Sequence, residues 1–263
     1  MKPTIEELQS LLVSAAREEL LPRFARVERE IKTDGSVVTE ADTSMQRRVC
    51  DELLKKWPRI PLLGEEMSAE AQQALLDSRE EGLWLLDPLD GTSNFAAGIP
   101  YFCVSLALIR GGDVVLGIIY DPLRDECFAA EKSKGATLNG RRLLSPAQLP
   151  TIAHSMGLID FKRLDGELAA RLATRPPYSS QRSFGSGALD WCMIATGRCH
   201  LYLHGGQKLW DYAAGQLILA EAGGLSSTLH NEPVLYQGLM PRSVVAASNP
   251  ELFLAWQKWL LAG

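Results

Sequence analysis

The sequence predicts a layered domain of the α/β or α+β class, and three observations predict it. An amphipathic helical pattern opens the chain. Apolar stretches at 102–109, 114–120 and 126–130, parted by turns, then read as an antiparallel meander. Beyond them, helical and strand patterns interleave to the C-terminus. The composition agrees: 46% apolar and 22% charged residues are a globular balance that excludes intrinsic disorder. A length of 263 residues gives one large domain or two small ones, with enough chain for a sizeable core.

In chain order, residues 5–21 place Ile5, Leu8, Leu11, Leu12, Ala15 and Ala16 at helical spacing. A polar turn follows at Lys32–Ser36. Thr39-Glu-Ala-Asp42 has the form of a capping box, opening a second helix that runs to about Trp57 and stops at Pro58. Leu83–Asp87 is a short apolar run ended by Pro88, as a buried strand would be. Arg110-Gly-Gly-Asp113 and Asp121-Pro-Leu-Arg-Asp125 supply the turns of the meander. Residues 141–150 lack periodicity and contain two prolines, which makes them the boundary between halves 1–143 and 144–263. The second half mixes helical patterns at 164–174, 187–197, 211–222 and 250–261 with strands near 199–203 and 243–248.

Charge and cysteine usage exclude several classes. With 27 basic and 32 acidic residues the net charge is −5, and no basic run offers phosphate contacts to a nucleic acid. Charge alone argues equally against an anionic substrate. The longest nearly apolar run, Ile99–Ile109, is too short for a bilayer, which needs ~20 residues. The charged N-terminus lacks the apolar core of a signal peptide, so a soluble, intracellular protein without membrane partners is expected. Five cysteines with no CxxC, and four histidines with no HExxH, give no zinc signature. Reduced, mostly buried thiols are expected instead.

The most informative segment is Trp84–Phe95. Asp87 and Asp90 lie three apart at the end of the buried strand, with Pro88 and Gly91 fixing the turn. Two anions held so close repel, and burial raises the cost; an oxygen-rich acidic turn of this kind suits a hard cation such as Mg²⁺. An ordinary Asp-Gly turn with solvated acids is the alternative, and the apolar run Leu83–Leu86 weighs against it. Gly91-Thr92-Ser93 could present backbone N–H groups to a phosphate, although capping explains the hydroxyls equally well. Glu65 and Glu66 follow the apolar stretch Ile60–Leu63, and adjacent acids on a loop are usually solvated. Asp211 opens the helix that ends at Glu221-Ala-Gly-Gly224, where an N-cap role competes with a catalytic one; Asp42 has the same competing explanation.

Taken in this order, the motifs resemble those of the inositol monophosphatase family. They are GEE at 64–66, DPLDGTSNF at 87–95 and WDYAAGQLILAEAGG at 210–224, with DGSVVTEAD at 34–42 and GSGAL at 185–189 in support. The resemblance covers nearly the whole chain and implies one domain, 1–263: a layered αβαβα sandwich of the inositol monophosphatase/fructose-1,6-bisphosphatase type. That domain is usually a homodimer, and a cytoplasmic one is expected here.

The resemblance also implies roles. Glu65, Asp87 and the Leu89 carbonyl would hold one Mg²⁺; Asp87, Asp90 and Asp211 would hold a second, and a loosely bound third would rest partly on Glu65. Glu66 would not be a ligand. The N–H groups of Gly91 and Thr92 would bind the phosphate, while Thr92, hydrogen-bonded to Asp42, would orient the attacking water and help accept its proton. Asp90 and the backbone of Gly187 would contact the substrate's ring.

His204 departs from the family pattern, in which a glutamate accepts ring hydroxyls seven residues before Asp211. A histidine there offers one donor and one acceptor, or else merely packs at a strand end. The expected function is Mg²⁺-dependent hydrolysis of a small polyol or sugar phosphate, inositol 1-phosphate first, with sensitivity to Li⁺. Ser93-Asn-Phe95 sits nearer the inositol branch than the 3′-phosphoadenosine 5′-phosphate phosphatases. Those enzymes, histidinol phosphatase, fructose-1,6-bisphosphatase and a regulatory protein retaining the fold are the alternatives. Five acids gathered to collect cations would also reverse the expectation drawn from net charge.

Overall fold

The computed structural model describes residues 2–28, 30–31, 37–78, 81–143, 150–236 and 238–262. The polar turn at 32–36 and most of the 141–150 junction lie outside the described residues. Helix α1 (Ile5–Glu19) is capped by Thr4 and buries Leu8, Leu11, Leu12, Ala15 and Ala16, the stripe its spacing predicts. A ribbon of β1 (Glu30–Ile31) and β2 (Val37–Val38) precedes α2 (Glu40–Lys56). The capping box at the start of α2 forms as expected: the Asp42 carboxylate accepts from both the backbone N–H and the hydroxyl of Thr39, each at 2.7 Å.

Next come β3 (Leu62–Gly64), α3 (Ala69–Asp77), β4 (Leu83–Asp90), the one-turn α4 (Thr92–Ala97), and the meander β5 (Cys103–Arg110), β6 (Asp113–Asp121), β7 (Glu126–Glu131), β8 (Gly135–Leu138) and β9 (Arg141–Arg142). These seven strands form one sheet in sequence order, antiparallel except for the parallel β3–β4 pair. The second half adds β10 (Met156–Asp160), α5 (Gly166–Thr174), β11 (Ser180–Arg182), α6 (Gly187–Ala195), β12 (Leu201–Gln207), α7 (Leu209–Glu221), β13 (Leu225–Ser227), β14 (Arg242–Ala247) and α8 (Pro250–Leu261). Its five-stranded sheet runs β11-β10-β12-β14-β13, with β12 parallel to β10 and antiparallel to β14.

Side-chain alternation sorts these strands into layers. In β4, Trp84 and Leu86 pack with α1 and α2, while Leu83 and Leu85 pack with α6 and α7. In β12, Tyr202 joins that same α6–α7 layer, while Leu201 and Leu203 face the other way onto Leu172 of α5 and Trp256 of α8. The order is helices, sheet, helices, sheet, helices: the αβαβα sandwich. Both faces of the central strands are covered, so β4, β5 and β6 read as nearly continuous apolar runs. All five cysteines are free thiols, four of them buried. Among the described residues, no helix is long and apolar enough to cross a membrane.

The structure corrects two sequence readings. Strand β4 does not end at Pro88 but continues to Asp90 across an irregularity, because its pairing with β5 resumes at Asp90–Cys103 after Asp87–Ser105. Strands β10 and β11 were not expected; each is short, and neither carries a clear period of its own.

The middle helices place the site. A Cβ on Gly215 would lie 2.5 Å from both Cβ and Cγ of the fully buried Trp191, so only glycine allows α7 to pack this closely on α6. Gly215→Ala should therefore destabilise the protein by about 1–3 kcal/mol through overpacking. Thermal or urea unfolding checks this, and an unchanged transition would contradict the close approach.

Candidate active site

The period of two that buries Leu83 and Leu85 also carries Asp87 onto the α6–α7 side of β4, where it is 2% exposed. Its Oδ1 accepts the Leu89 N–H at 3.0 Å. At the strand end Asp90 turns toward the second half, and its Oδ2 accepts from the Ser186 hydroxyl at 2.6 Å and the Ala188 N–H at 2.7 Å. One oxygen of Asp90 is thus seated on the N-terminus of α6, a favourable place for an anion. Asp211 lies in the first turn of α7, its Oδ2 accepting the Lys208 N–H at 2.8 Å. The N-cap role open to Asp211 in the sequence belongs instead to Lys208.

Gly91 joins β4 to α4 with a φ of 91°, and a Cβ there would meet the Tyr101 carbonyl at 2.9 Å. Both conformation and space therefore require glycine. The next residue, Thr92, places its Oγ1 3.0 Å from Asp42 Oδ1 and 2.9 Å from the Leu89 carbonyl. Asp42 is fully buried behind Thr92 and accepts its hydroxyl. Glu65 follows β3, its N–H bonded to the Leu86 carbonyl at 3.1 Å, which sets it beside Asp87 in the parallel register.

These residues line one cavity of about 380 Å³. Glu65, Asp87, Leu89, Asp90, Gly91, Thr92, Gly187, His204 and Asp211 all border it, and Asp42 lies one hydrogen bond behind. Sequence reasoning missed Asp160, Lys162, Arg163, Ser186 and Asp190, which border the same cavity. Only Ser186, inside the GSGAL motif, carried a usable signal. His204 does more than pack at a strand end: it borders the cavity with both ring nitrogens engaged, Nε2 with Asp160 at 3.0 Å and Nδ1 with the Gly206 N–H at 3.1 Å.

Comparison with known proteins bears on the family and the fold. Residues 2–259 match the inositol monophosphatase family. The chain belongs to that family. Inositol monophosphatase 1 of Solanum lycopersicum is 33% identical over 260 residues, covering 95% of this chain and 93% of its own length. The protein called Nus factor SuhB in Xylella fastidiosa is 35% identical over 197 residues, 73% of this chain and 69% of its own. An IMPase from Thermotoga maritima superposes with a TM-score of 0.83 at 26% identity, covering 98% of both chains. Family and fold together support a phosphatase of the inositol monophosphatase type.

In this family member the charged forms of the site carboxylates are disfavoured first by burial and then, at Asp87 and Asp211, by one another. Burial first, then Glu65, Asp90 and Asp211, push the Asp87 carboxyl well above the carboxylate range. Asp211 is raised well above it by burial and then by Asp90 and Glu65, more than the Lys208 N–H and Arg163 lower it. Asp90 is raised by burial despite its hydrogen bonds to Ser186, Ala188 and Gly187. Asp42 is pushed up to about 6, chiefly by burial.

Among the described residues, no three His, Cys, Asp or Glu side chains are drawn around one point as a closed ligand set. The fit to a cation rests on donor chemistry: buried Asp87, partly buried neighbouring carboxylates and one carbonyl, all oxygen, as a hard divalent ion requires. Raised carboxyls stabilise the fold while protonated, a contribution present below their ordinary values near 4 and lost as pH rises through the folded ones. In chelator, the melting temperature should therefore fall between pH 5 and pH 8, and millimolar Mg²⁺ should restore more of it at pH 8 than at pH 5. Differential scanning fluorimetry reads both, and an equal Mg²⁺ effect at the two pH values would count against the cluster as the binding site.

Proposed function

We propose that the protein is a Mg²⁺-dependent phosphomonoesterase acting on a small polyol or sugar phosphate, with inositol 1-phosphate its first substrate. The observation that carries this reading is the cluster of buried Asp87 with the partly buried Asp90 and Asp211 on one cavity, beside the Thr92–Asp42 hydrogen bond. Glu65, Asp87 and the Leu89 carbonyl would hold one ion, and Asp87, Asp90 and Asp211 a second. Bound there, Mg²⁺ would neutralise the phosphate dianion and make a water molecule acidic enough to attack it. The N–H groups of Gly91 and Thr92 would orient the phosphate oxygens, and Gly187 would approach the ring through its backbone.

Thr92 and Asp42 then act on the proton. The Thr92 hydroxyl has one hydrogen and two acceptors in reach, the Leu89 carbonyl and Asp42 Oδ1. When it donates to ionised Asp42, a lone pair on Oγ1 is free to accept from the attacking water. As the water attacks phosphorus, its proton passes to Oγ1 and the Thr92 proton passes to Asp42, while the ester P–O bond breaks and the departing alkoxide leaves as the alcohol after taking a proton from solvent. A carboxyl raised to about 6 suits that task, being ionised at neutral pH yet basic enough to take a proton.

A second reading has one specific observation behind it, the likeness to a protein named as a Nus factor: a binding role with little catalysis. Phosphate release separates the two. The wild type should release phosphate from inositol 1-phosphate with Mg²⁺ and not with chelator; no release from it, fructose 1,6-bisphosphate, histidinol phosphate or 3′-phosphoadenosine 5′-phosphate would favour the binding role.

Further outcomes follow from the geometry. Asp90→Asn can keep its carbonyl on Ser186 and Ala188, so it should fold normally yet have activity near background. Thr92→Ala and Asp42→Asn should each slow turnover by roughly 10²–10⁴-fold. In the wild type, kcat/KM should fall as pH drops through about 6, where Asp42 becomes protonated, and Asp42→Asn should lose that acid limb. An unaltered limb in the variant would assign it to another group.

A further inference from the structure

The cavity has a second wall that the proton transfer does not use. Asp87 and Asp90 come from β4 of the seven-stranded sheet, and Gly91 and Thr92 from the start of α4 just after it, whereas Asp160 and His204 come from adjacent strands of the five-stranded sheet, β10 and β12, directly paired in register. His204 is 8% exposed, and its ring is fixed at both nitrogens. Because Nδ1 accepts the Gly206 N–H, the ring hydrogen sits on Nε2 and is donated to Asp160 Oδ2 at 3.0 Å. The histidine therefore has no ring acceptor left, and its one donor is spent inside the protein.

Asp160 stands differently. Its Oδ1 accepts the Lys162 N–H at 2.8 Å, and Oδ2 accepts from His204 with Arg163 farther away at 3.7 Å. A carboxylate offers about four lone-pair directions, so acceptor capacity remains on a group that is 26% exposed and borders the cavity. The His204 hydrogen bond also lowers its carboxyl to about 2, which keeps it an acceptor throughout the working range. A Cβ on Gly205 would collide with the Arg163 carbonyl, so β12 lies directly against the turn that follows Asp160.

We infer that Asp160 is the residue that accepts hydrogen bonds from the substrate's hydroxyl groups, and that His204 is a positioning residue acting only through it. This rests on the phosphatase reading above and deepens it. The ligand feature that suits this acceptor is a hydroxyl-bearing alcohol portion of the ester.

The test compares two esters with Mg²⁺: inositol 1-phosphate, which carries ring hydroxyls, and p-nitrophenyl phosphate, which carries none. Asp160→Ala should raise KM for inositol 1-phosphate by roughly 10–100-fold, the scale of one lost charge-assisted hydrogen bond, with kcat for both esters within about 2-fold of wild type. Unchanged p-nitrophenyl phosphate turnover also verifies that the variant folds. His204→Gln keeps a donor at the Nε2 position and should retain near-wild-type KM, whereas His204→Asn should resemble Asp160→Ala. The double variant Asp160→Ala/His204→Ala should lose no more than Asp160→Ala alone.

A KM rise for His204→Gln with a neutral Asp160→Ala would make His204 the direct contact and overturn the assignment. Equal losses on both esters would reduce the pair to a structural role and overturn it too. A wild type that hydrolyses neither ester would overturn the phosphatase reading itself, an outcome distinct from both.

Discussion

Folding this chain means bringing like charges together in a place water hardly reaches. Asp87 is almost fully buried, and the carboxylates of Glu65, Asp90 and Asp211 all act on it with the same sign. Hydrogen bonds from Leu89, Ser186, Ala188 and Lys208 hold these groups in place, yet they offset only part of the cost, and the carboxyls at 87, 90 and 211 stay raised. Arg163 lowers Asp211 by less than its acidic neighbours raise it. A protein that concentrates anions in this way is arranged for a counter-charge from outside, which is why a net charge of −5 says little about the sign of its ligand.

The architecture exists in large part to hold that arrangement. Strand β4 directs Asp87 inward through the same alternation that builds the core. Asp90 then crosses to the N-terminus of α6, tying the seven-stranded sheet to the second half of the chain at the site itself. Asp211 occupies the first turn of α7, and Gly215 lets α7 lie close on α6, so that Gly187 and Asp211 border one cavity. Behind them, Asp42 serves both as a helix cap and as the partner of Thr92.

How much of this was legible in the sequence depended on whether a residue's role is local or arises from pairing. The acids of DPLDGTSNF could be read because a buried run, a proline and a glycine confine them within a few positions. The capping box at Thr39–Asp42 and the helical stripe of α1 were legible for the same reason, as were the meander strands, whose turns punctuate them. Asp160 was not legible: it joins the site only because β10 lies parallel to β12, a pairing between distant segments that no local pattern announces. The continuation of β4 past Pro88 escaped for a similar reason, since β5 supplies the pairing that extends it. His204 is ambiguous in the sequence because its pairing with Asp160 exists only in the folded sheet.

The most direct measurement of the cation requirement is a calorimetric titration of the chelator-treated protein with Mg²⁺ in two buffers of different ionisation enthalpy, at pH 6 and pH 8. If raised carboxyls are the ligands, Mg²⁺ will bind at more than one site per chain. Binding will release protons, more of them at pH 6, and Asp87→Asn will abolish the tighter phase. Proton release that is absent at both pH values, or Mg²⁺ binding unchanged in Asp87→Asn, would contradict the proposal that this buried cluster holds the metal.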